Sequence, residues 1–180
     1  RGDALMTEED GPGKDFISGV CRDWEAAARP AADRGIRVVF LRIGVALHPG
    51  GGALKRYLPA ARLGLGGKMG RGDQYISWIS MEDLIGAVEH LLFNGAVRGA
   101  VNIAAPAPAT NREFVITLAR ALGRPALLSM PEPIIRLLFG RMGREVILSS
   151  TRVSCRKLVQ SGYRFKHETL EKALHFLLGK

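Results

Sequence analysis

A helical stretch, a glycine stop and an unbroken apolar run, in that order, most constrain how this 180-residue chain can fold. From about Asp15 to Arg34, the residues Ile17, Val20, Cys21, Trp24, Ala27, Ala28 and Ala31 recur at helical spacing, which predicts a helix with its apolar face inward. Pro30 should kink or break it, because its ring removes a backbone donor and clashes one turn back. Gly35 suits the stop. In residues 36–43, Val38, Val39, Phe40 and Leu41 are continuous, the pattern of a strand covered on both faces of a parallel sheet. Helix, short turn and buried strand make half of a strand–helix–strand crossover, so the expected class is α/β.

The remainder alternates in the same manner. Pro49-Gly50-Gly51-Gly52 reads as a turn, and residues 53–63 as a short helix. Residues 64–72 hold five glycines in nine positions. Residues 75–79 predict a short strand. Ser80, with Asp83 three residues on, predicts a capped helix carrying Leu84, Ile85, Val88, Leu91 and Leu92 on one face. Residues 100–104 read as a strand. Thr110 and Glu113 form a capping box for a helix that ends at Leu122, with Gly123 as its stop. A strand is expected at 127–130 and helices at 131–141, 151–160 and 169–178, the last two separated by the Gly162-Tyr163 turn. Residues 1–14 read as a loop or mobile arm.

Composition narrows the function classes. Apolar residues are 47% and charged residues 24%, as in globular domains, and no apolar run approaches the about 20 residues of a membrane span. A cytoplasmic protein without a membrane partner is expected. The two cysteines, Cys21 and Cys155, are too few for a disulfide framework and predict buried free thiols. The four histidines are scattered, so no metal site is expected. The net charge of +9 is uneven: residues 1–34 carry five bases against eight acids, and residues 105–166 carry eleven against three. A basic second half could meet phosphates, nucleic acid or an acidic partner. Its core series is Arg136, Arg141, Arg144, Arg152, Arg156 and Lys157. Residues 141–162 contain no aromatic side chain on which bases could stack, so nucleic acid is not the expected partner.

Six stretches carry a family resemblance: Val20-Cys-Arg-Asp-Trp-Glu-Ala-Ala-Ala28, Arg37-Val-Val-Phe-Leu-Arg-Ile-Gly44, Arg62-Leu-Gly-Leu-Gly-Gly67, Ser77-Trp-Ile-Ser-Met-Glu-Asp-Leu84, Ala109-Thr-Asn-Arg-Glu-Phe114 and Thr169-Leu-Glu-Lys-Ala-Leu174. In this order they resemble the C-terminal half of an extended short-chain dehydrogenase/reductase. The likeness is to the atypical epimerase-family branch, which ends in a domain of unknown function. It covers nearly all of the chain from Asp15 onward. The resemblance implies that residues 1–104 are the C-terminal part of an NAD(P)-binding Rossmann-like parallel sheet with its substrate loop. Residues 105–180 would be a small mixed α/β substrate lobe.

The chain opens at Arg1, its first Met is Met6, and no strand–glycine–helix fingerprint precedes the first helix. A fragment is therefore expected, with the dinucleotide loop upstream. The glycines at 64–72 follow a helix and not a strand, so they fail the context such a loop requires. The Tyr-x-x-x-Lys positions of the superfamily fall on Ile17 and Cys21, neither of which can shuttle a proton in that way, so no catalytic residue is expected here. Cys21 is expected to be a buried thiol.

By the same resemblance, Gly44 and Val45 lie near the cofactor. Arg62, Lys68 and Arg71 clamp phosphates, and Asp73 and Trp78 stand at the exit of that substrate loop. The implied parent is an NAD(P)-dependent epimerase or oxidoreductase acting on a nucleotide-sugar or similar polar small molecule. NAD(P) would belong to the parent and not to these 180 residues. The competing reading is a non-catalytic binding, regulatory or structural protein that kept the fold. A sheet lacking its first strands exposes an edge, so a homodimer or domain-swapped assembly is expected.

Overall fold

The computed structural model describes residues 2–142 and 146–179. Its elements are β1 (Leu5–Met6), α1 (Phe16–Ala27), α2 (Arg29–Asp33), β2 (Val39–Ile43), β3 (Val45–His48), α3 (Gly52–Arg62), β4 (Tyr75–Ile76), β5 (Trp78–Ser80), α4 (Met81–Phe93), β6 (Gly99–Ile103), β7 (Ala109–Thr110), α5 (Asn111–Leu122), α6 (Glu132–Met142), β8 (Arg152–Val153), α7 (Arg156–Gln160) and α8 (Leu170–Leu177). The class is α/β and Rossmann-like.

The strands pair in four short ladders. β2 and β6 run parallel from Val39 opposite Gly99 to Ile43 opposite Ile103. β3 and β5 run parallel with Val45 opposite Trp78. β1 pairs with β8 in parallel, and β4 with β7 antiparallel. Gly44 is the switch between the first two ladders. Its N–H donates to the Ile103 carbonyl at 2.9 Å, and the next N–H, of Val45, donates to the Ser77 carbonyl at 2.7 Å.

Local sequence sets the helix starts. Asp15 accepts from the Ser18 N–H, Ser80 from Asp83 and Thr110 from Glu113, each supplying an acceptor to an otherwise orphaned first-turn donor. At α5 the box is reciprocal: the Glu113 carboxylate accepts the Thr110 N–H at 2.7 Å. Gly123 ends α5 in the left-handed region, as expected.

Two apolar cores form. The larger gathers Leu47, Leu54, Leu58 and Trp78 with Phe114, Leu118 and Leu174, so α3, α5 and α8 close over β3 and β5. It draws on residues from both sides of the Pro-rich stretch at 105–108. The smaller gathers Ile79, Leu91, Val101, Ile103 and Leu158 between α4, β6 and α7.

Several expectations are corrected. The helix expected over 15–34 is two helices, with Pro30 in the first turn of α2, where its missing N–H costs nothing. No residue of α1 is buried. Cys21 is exposed and Trp24 is 78% exposed, because among the described residues no element covers that face. Cys155 is buried as expected, and burial pushes its thiol pKa up. Strand β2 is half-buried rather than covered on both faces, and Leu41 and Ile43 stay exposed. On α4, Ala87 and Leu91 face inward together with Asp83, while Ile85 and Leu92 are exposed.

The arm at 1–14 is pinned at Leu5–Met6 by β8. Residues 127–130 make a single bridge, Met69 to Met130, instead of a strand. The helix expected at 151–160 starts as strand β8 and turns helical only at Arg156. The basic series is largely engaged. Arg152 donates to the Asp3 carbonyl and lies over the Tyr75 ring, Lys157 donates to the carbonyls of Arg98 and Ala100, and Arg136 pairs with Glu132. Arg144 and the side chain of Arg141 lie outside the described residues.

Candidate functional site

The parallel pair β2–β6 ends at Ile43 and Ile103, and in open α/β sheets ligands sit beyond such carboxyl ends. Gly44 is the first residue past that end. A Cβ there would stand 2.6 Å from the Ser77 carbonyl oxygen and 3.3 Å from the Ala104 Cβ. The missing side chain therefore admits the Ser77 backbone, not a ligand atom. Val45 is partly exposed and faces outward beside it. Ser77 is anchored in turn: its hydroxyl donates to the Thr151 carbonyl at 2.9 Å and accepts the Val153 N–H at 2.9 Å.

The glycine loop at 64–72 reaches Ser77 within a few residues. It is stitched down along its length. The Met69 N–H donates to Asn111 Oδ1 at 2.7 Å, the Met130 N–H to the Lys68 carbonyl at 2.9 Å and the Gly70 N–H to the Met130 carbonyl at 2.9 Å. Gln74 Nε2 donates to the Met69 carbonyl at 2.9 Å. Asn111 also donates to the Tyr57 hydroxyl at 3.2 Å, and that hydroxyl faces the Met69 sulfur. Burial raises the Tyr57 pKa, so the phenol stays a neutral donor. Asn111 and Gln74 are themselves buried, and their hydrogen bonds are spent within the fold.

What the loop offers outward is charge. Arg62 ends α3 and is exposed. Lys68 is half-exposed, its ammonium 3.4 Å from the Arg71 carbonyl. Arg71 and Asp73 pair with each other on the surface, 82% and 58% exposed. Trp78 does not belong with them. It is fully buried in the larger core, and its indole N–H donates to the Ala107 carbonyl at 2.8 Å, so a ligand cannot reach it. Its place in the short strand run at 75–79, with Ile76 two residues before it and Ile79 after it, is the signal that it belongs to the core.

One polar cluster was not legible in the sequence. Asp83, 1% exposed, accepts from the Ser80 hydroxyl at 2.9 Å, the Lys166 N–H at 2.8 Å, the His167 N–H at 3.0 Å and the Tyr163 hydroxyl at 3.1 Å. His167 Nδ1 stands 3.1 Å from Ser80 Oγ and 3.3 Å from Asp83 Oδ2. These are the residue types of a nucleophilic triad, but the roles are wrong. Ser80 is fully buried, and its hydroxyl lies 2.9 Å from Asp83 Oδ2 inside the core, where no substrate carbonyl can reach it. The cluster is a clasp that holds the 163–167 turn on the start of α4.

On the α1 side, Arg42 reaches across from β2 and grips Glu25 with two bonds, Nε to Oε1 at 2.8 Å and Nη2 to Oε2 at 2.9 Å. Its remaining Nη1 donates to the Glu8 carbonyl at 3.0 Å. The paired guanidinium holds the Glu25 carboxyl below its ordinary value of 4.5. A depressed folded-state pKa contributes stability that is complete above the unfolded value and is lost as pH falls through the folded one. Acid should therefore destabilise the protein progressively below about pH 5, and Glu25→Gln should remove part of that slope. Urea melts at pH 7 and pH 4 test this; an unchanged pH dependence in Glu25→Gln would contradict it.

Residues 130–177 match the family described as Domain of unknown function (DUF1731). The chain is 40% identical over 174 residues to the epimerase family protein MT2273 of Mycobacterium tuberculosis, covering 97% of this chain and 58% of that protein. The crystal structure of human epimerase family protein SDR39U1 (isoform 2) with NADPH superposes with a TM-score of 0.91 at 39% identity, over 98% of this chain and 60% of that one. A nucleoside-diphosphate sugar epimerase from Corynebacterium glutamicum superposes at 0.76 with 32% identity, over 98% of this chain and 34% of that one. The chain spans under two thirds of the length of each of these proteins. By sequence and by fold, the chain is similar to epimerase family proteins over nearly all of its length, with the DUF1731 match confined to residues 130–177.

Proposed function

We propose that these residues form the substrate side of an NAD(P)-linked epimerase-like oxidoreductase, with a nucleotide-sugar or similar polar small molecule as its ligand. The observation that carries this is the cation-bearing loop 62–73, held in one shape by Asn111, Gln74 and Met130 and leading directly to the strand end at Gly44. Anchored cations suit a diphosphate, because a guanidinium fork matches phosphate oxygens in pairs. Arg62, Lys68 and Arg71 are the anion contacts in this reading, with Asp73 orienting Arg71. Val45 lies toward the cofactor, and Gly44 keeps the strand end close to Ser77.

Among the described residues, the glycine loop at 64–72 does not offer a dinucleotide its phosphate cradle. The N–H groups of Met69 and Gly70, which a phosphate cradle would need free, are bonded to Asn111 and Met130. The cofactor is then held by residues outside this chain. The NADPH in the human relative's crystal structure supports a nicotinamide cofactor for the longer protein. Titration of NADPH and NADH, followed by nicotinamide fluorescence, tests this. Binding by the longer protein and not by residues 1–180 is the expected result; binding by neither would overturn it.

A second reading, a binding protein that kept the fold without turnover, is favoured by Ile17 and Cys21 on the exposed face of α1. NADPH binding with no oxidation across a panel of nucleotide sugars would support it. The exposed apolar face made by Ile17, Val20 and Trp24 of α1 and Leu41 and Ile43 of β2 also leads us to expect a dimer or domain-swapped assembly of residues 1–180. Sedimentation of a monomer at high concentration would contradict that.

A further inference from the structure

The first residues of α5 are fastened to the glycine loop. The Asn111 side-chain oxygen accepts the Met69 N–H at 2.7 Å, the Asn111 N–H donates to the Gln74 carbonyl at 2.9 Å, and the Arg112 N–H donates to the Gly72 carbonyl at 2.9 Å. At that last bond two cationic side chains leave the backbone together. A Cβ at Gly72 would stand 3.0 Å from the Cβ and Cδ of Lys68 and 3.4 Å from the Cβ of Arg112. Gly72, buried and at a φ of +79°, is therefore the point at which the loop and α5 bring both stems side by side. Arg112 is exposed and, among the described residues, has no carboxylate partner. The two acids flanking this point are engaged: Glu113 accepts the Thr110 N–H at 2.7 Å and the Thr110 hydroxyl at 2.9 Å, and Asp73 pairs with Arg71. Arg71 and Asp73 cancel, so the net positive charge here comes from Lys68 and Arg112. In the sequence Arg112 sits inside the capping box Thr110-Asn-Arg-Glu113, whose structural role hides it.

We infer that Arg112 is a further contact of the anion anchor, and that a diphosphate head sits over Gly72 between Lys68 and Arg112. The inference rests on the reading of the loop as the ligand anchor and extends that anchor to a second element, α5. The guanidinium fork takes two oxygens of one phosphate, and the lysine ammonium serves the other as a point charge. The Arg112 N–H is bonded to Gly72 and the Lys68 carbonyl to the Met130 N–H, so the backbone under both cations is already fixed. Binding then orders only the two side chains, which keeps its entropic cost low.

Calorimetric titration of the protein with inorganic pyrophosphate and with UDP-glucose, in about 0.15 M salt, tests this. Arg112→Ala is expected to weaken pyrophosphate binding about tenfold or more, and Arg112→Lys less, because lysine keeps the charge and loses the fork. Arg120→Ala is the control. It removes the same charge from the exposed side of α5, eight residues or about 12 Å further along the helix, beyond the about 8 Å at which such salt screens a charge. It should change affinity less than about twofold. Both side chains are exposed, so neither variant should move the melting temperature. The losses from Lys68→Ala and Arg112→Ala should not add in the double variant, because both act on one head. UDP-glucose should lose affinity in parallel with pyrophosphate. A loss confined to pyrophosphate would support the contact and assign the head to a free phosphate instead of a nucleotide sugar. Indifference to Arg112→Ala, equal losses from Arg112→Ala and Arg120→Ala, or strict additivity would overturn the inference and leave the loop as anchor. No binding of pyrophosphate by the unsubstituted protein would overturn the anchor reading and this inference with it.

Discussion

Replacing Gly67 with alanine should cost the protein at least about 3 kcal/mol of stability, the largest effect expected of any single methyl group in the chain. A Cβ at residue 67 would stand 1.0 Å from the Leu128 carbonyl oxygen and 2.1 Å from its carbon. Those atoms are backbone, so no rotamer change relieves the clash. The 125–130 segment must move away, which breaks the bonds from Met130 N–H to Lys68 and from Gly70 N–H to Met130, each 2.9 Å long. Those groups would be left unpaired or solvated in a poorer geometry. Gly67 does not have a positive φ, so the effect isolates contact from backbone strain. Gly95→Ala is the matching control, since a Cβ there meets nothing within 4 Å, and it should stay within about 0.5 kcal/mol of the parent. Urea unfolding of both variants checks the pair; a Gly67→Ala protein as stable as the parent would mean the two segments do not touch as described.

Asp83→Asn should cost nearly as much, about 3 kcal/mol or more, although the two side chains have the same shape. Every partner of Asp83 is a donor: the Ser80 and Tyr163 hydroxyls and the N–H groups of Lys166 and His167. An amide would offer one acceptor and aim its NH2 at donors. Because Asp83 is 1% exposed, water cannot repair the mismatch. The damage should be directional. With the clasp lost, the 163–167 turn leaves α4, and α8 loses its anchor while α5 keeps its own capping box. Amide exchange should therefore quicken across 163–177 before it does so in 111–122. Uniform destabilisation, or none, would contradict the clasp. Burial and the Asp83 carboxylate both raise the Tyr163 pKa, which keeps that phenol a donor in the clasp well into the alkaline range.

The parts legible in the sequence are those decided within a few residues. Asp15, Ser80 and Thr110 each cap a helix because the donor they satisfy is three positions away. The apolar run at 38–43 gave the strand for the same local reason, and the order of elements gave the α/β class. Parts decided across the chain were not legible. Periodicity on α1 marked Cys21 and Trp24 as a face, but what covers a face is a property of other segments. His167 reaches Ser80 across 87 residues, and no spacing rule links them. The glycines at 64–72 read only as part of a substrate loop, whereas Gly67 is glycine because Leu128 lies on it. Of the proposed ligand contacts, Arg62, Lys68, Arg71 and Asp73 remain at the surface, while Trp78 belongs to the core.

In the function proposed above, loop 62–73 anchors an anionic ligand head while the dinucleotide is held elsewhere. Hydrogen exchange across the proposed longer protein, with NADPH and with inorganic pyrophosphate added separately, tests this. Pyrophosphate should slow exchange within residues 62–73, and NADPH should leave that stretch unchanged while protecting residues outside 1–180. Protection of 62–73 by NADPH alone, with no response to pyrophosphate, would contradict the account.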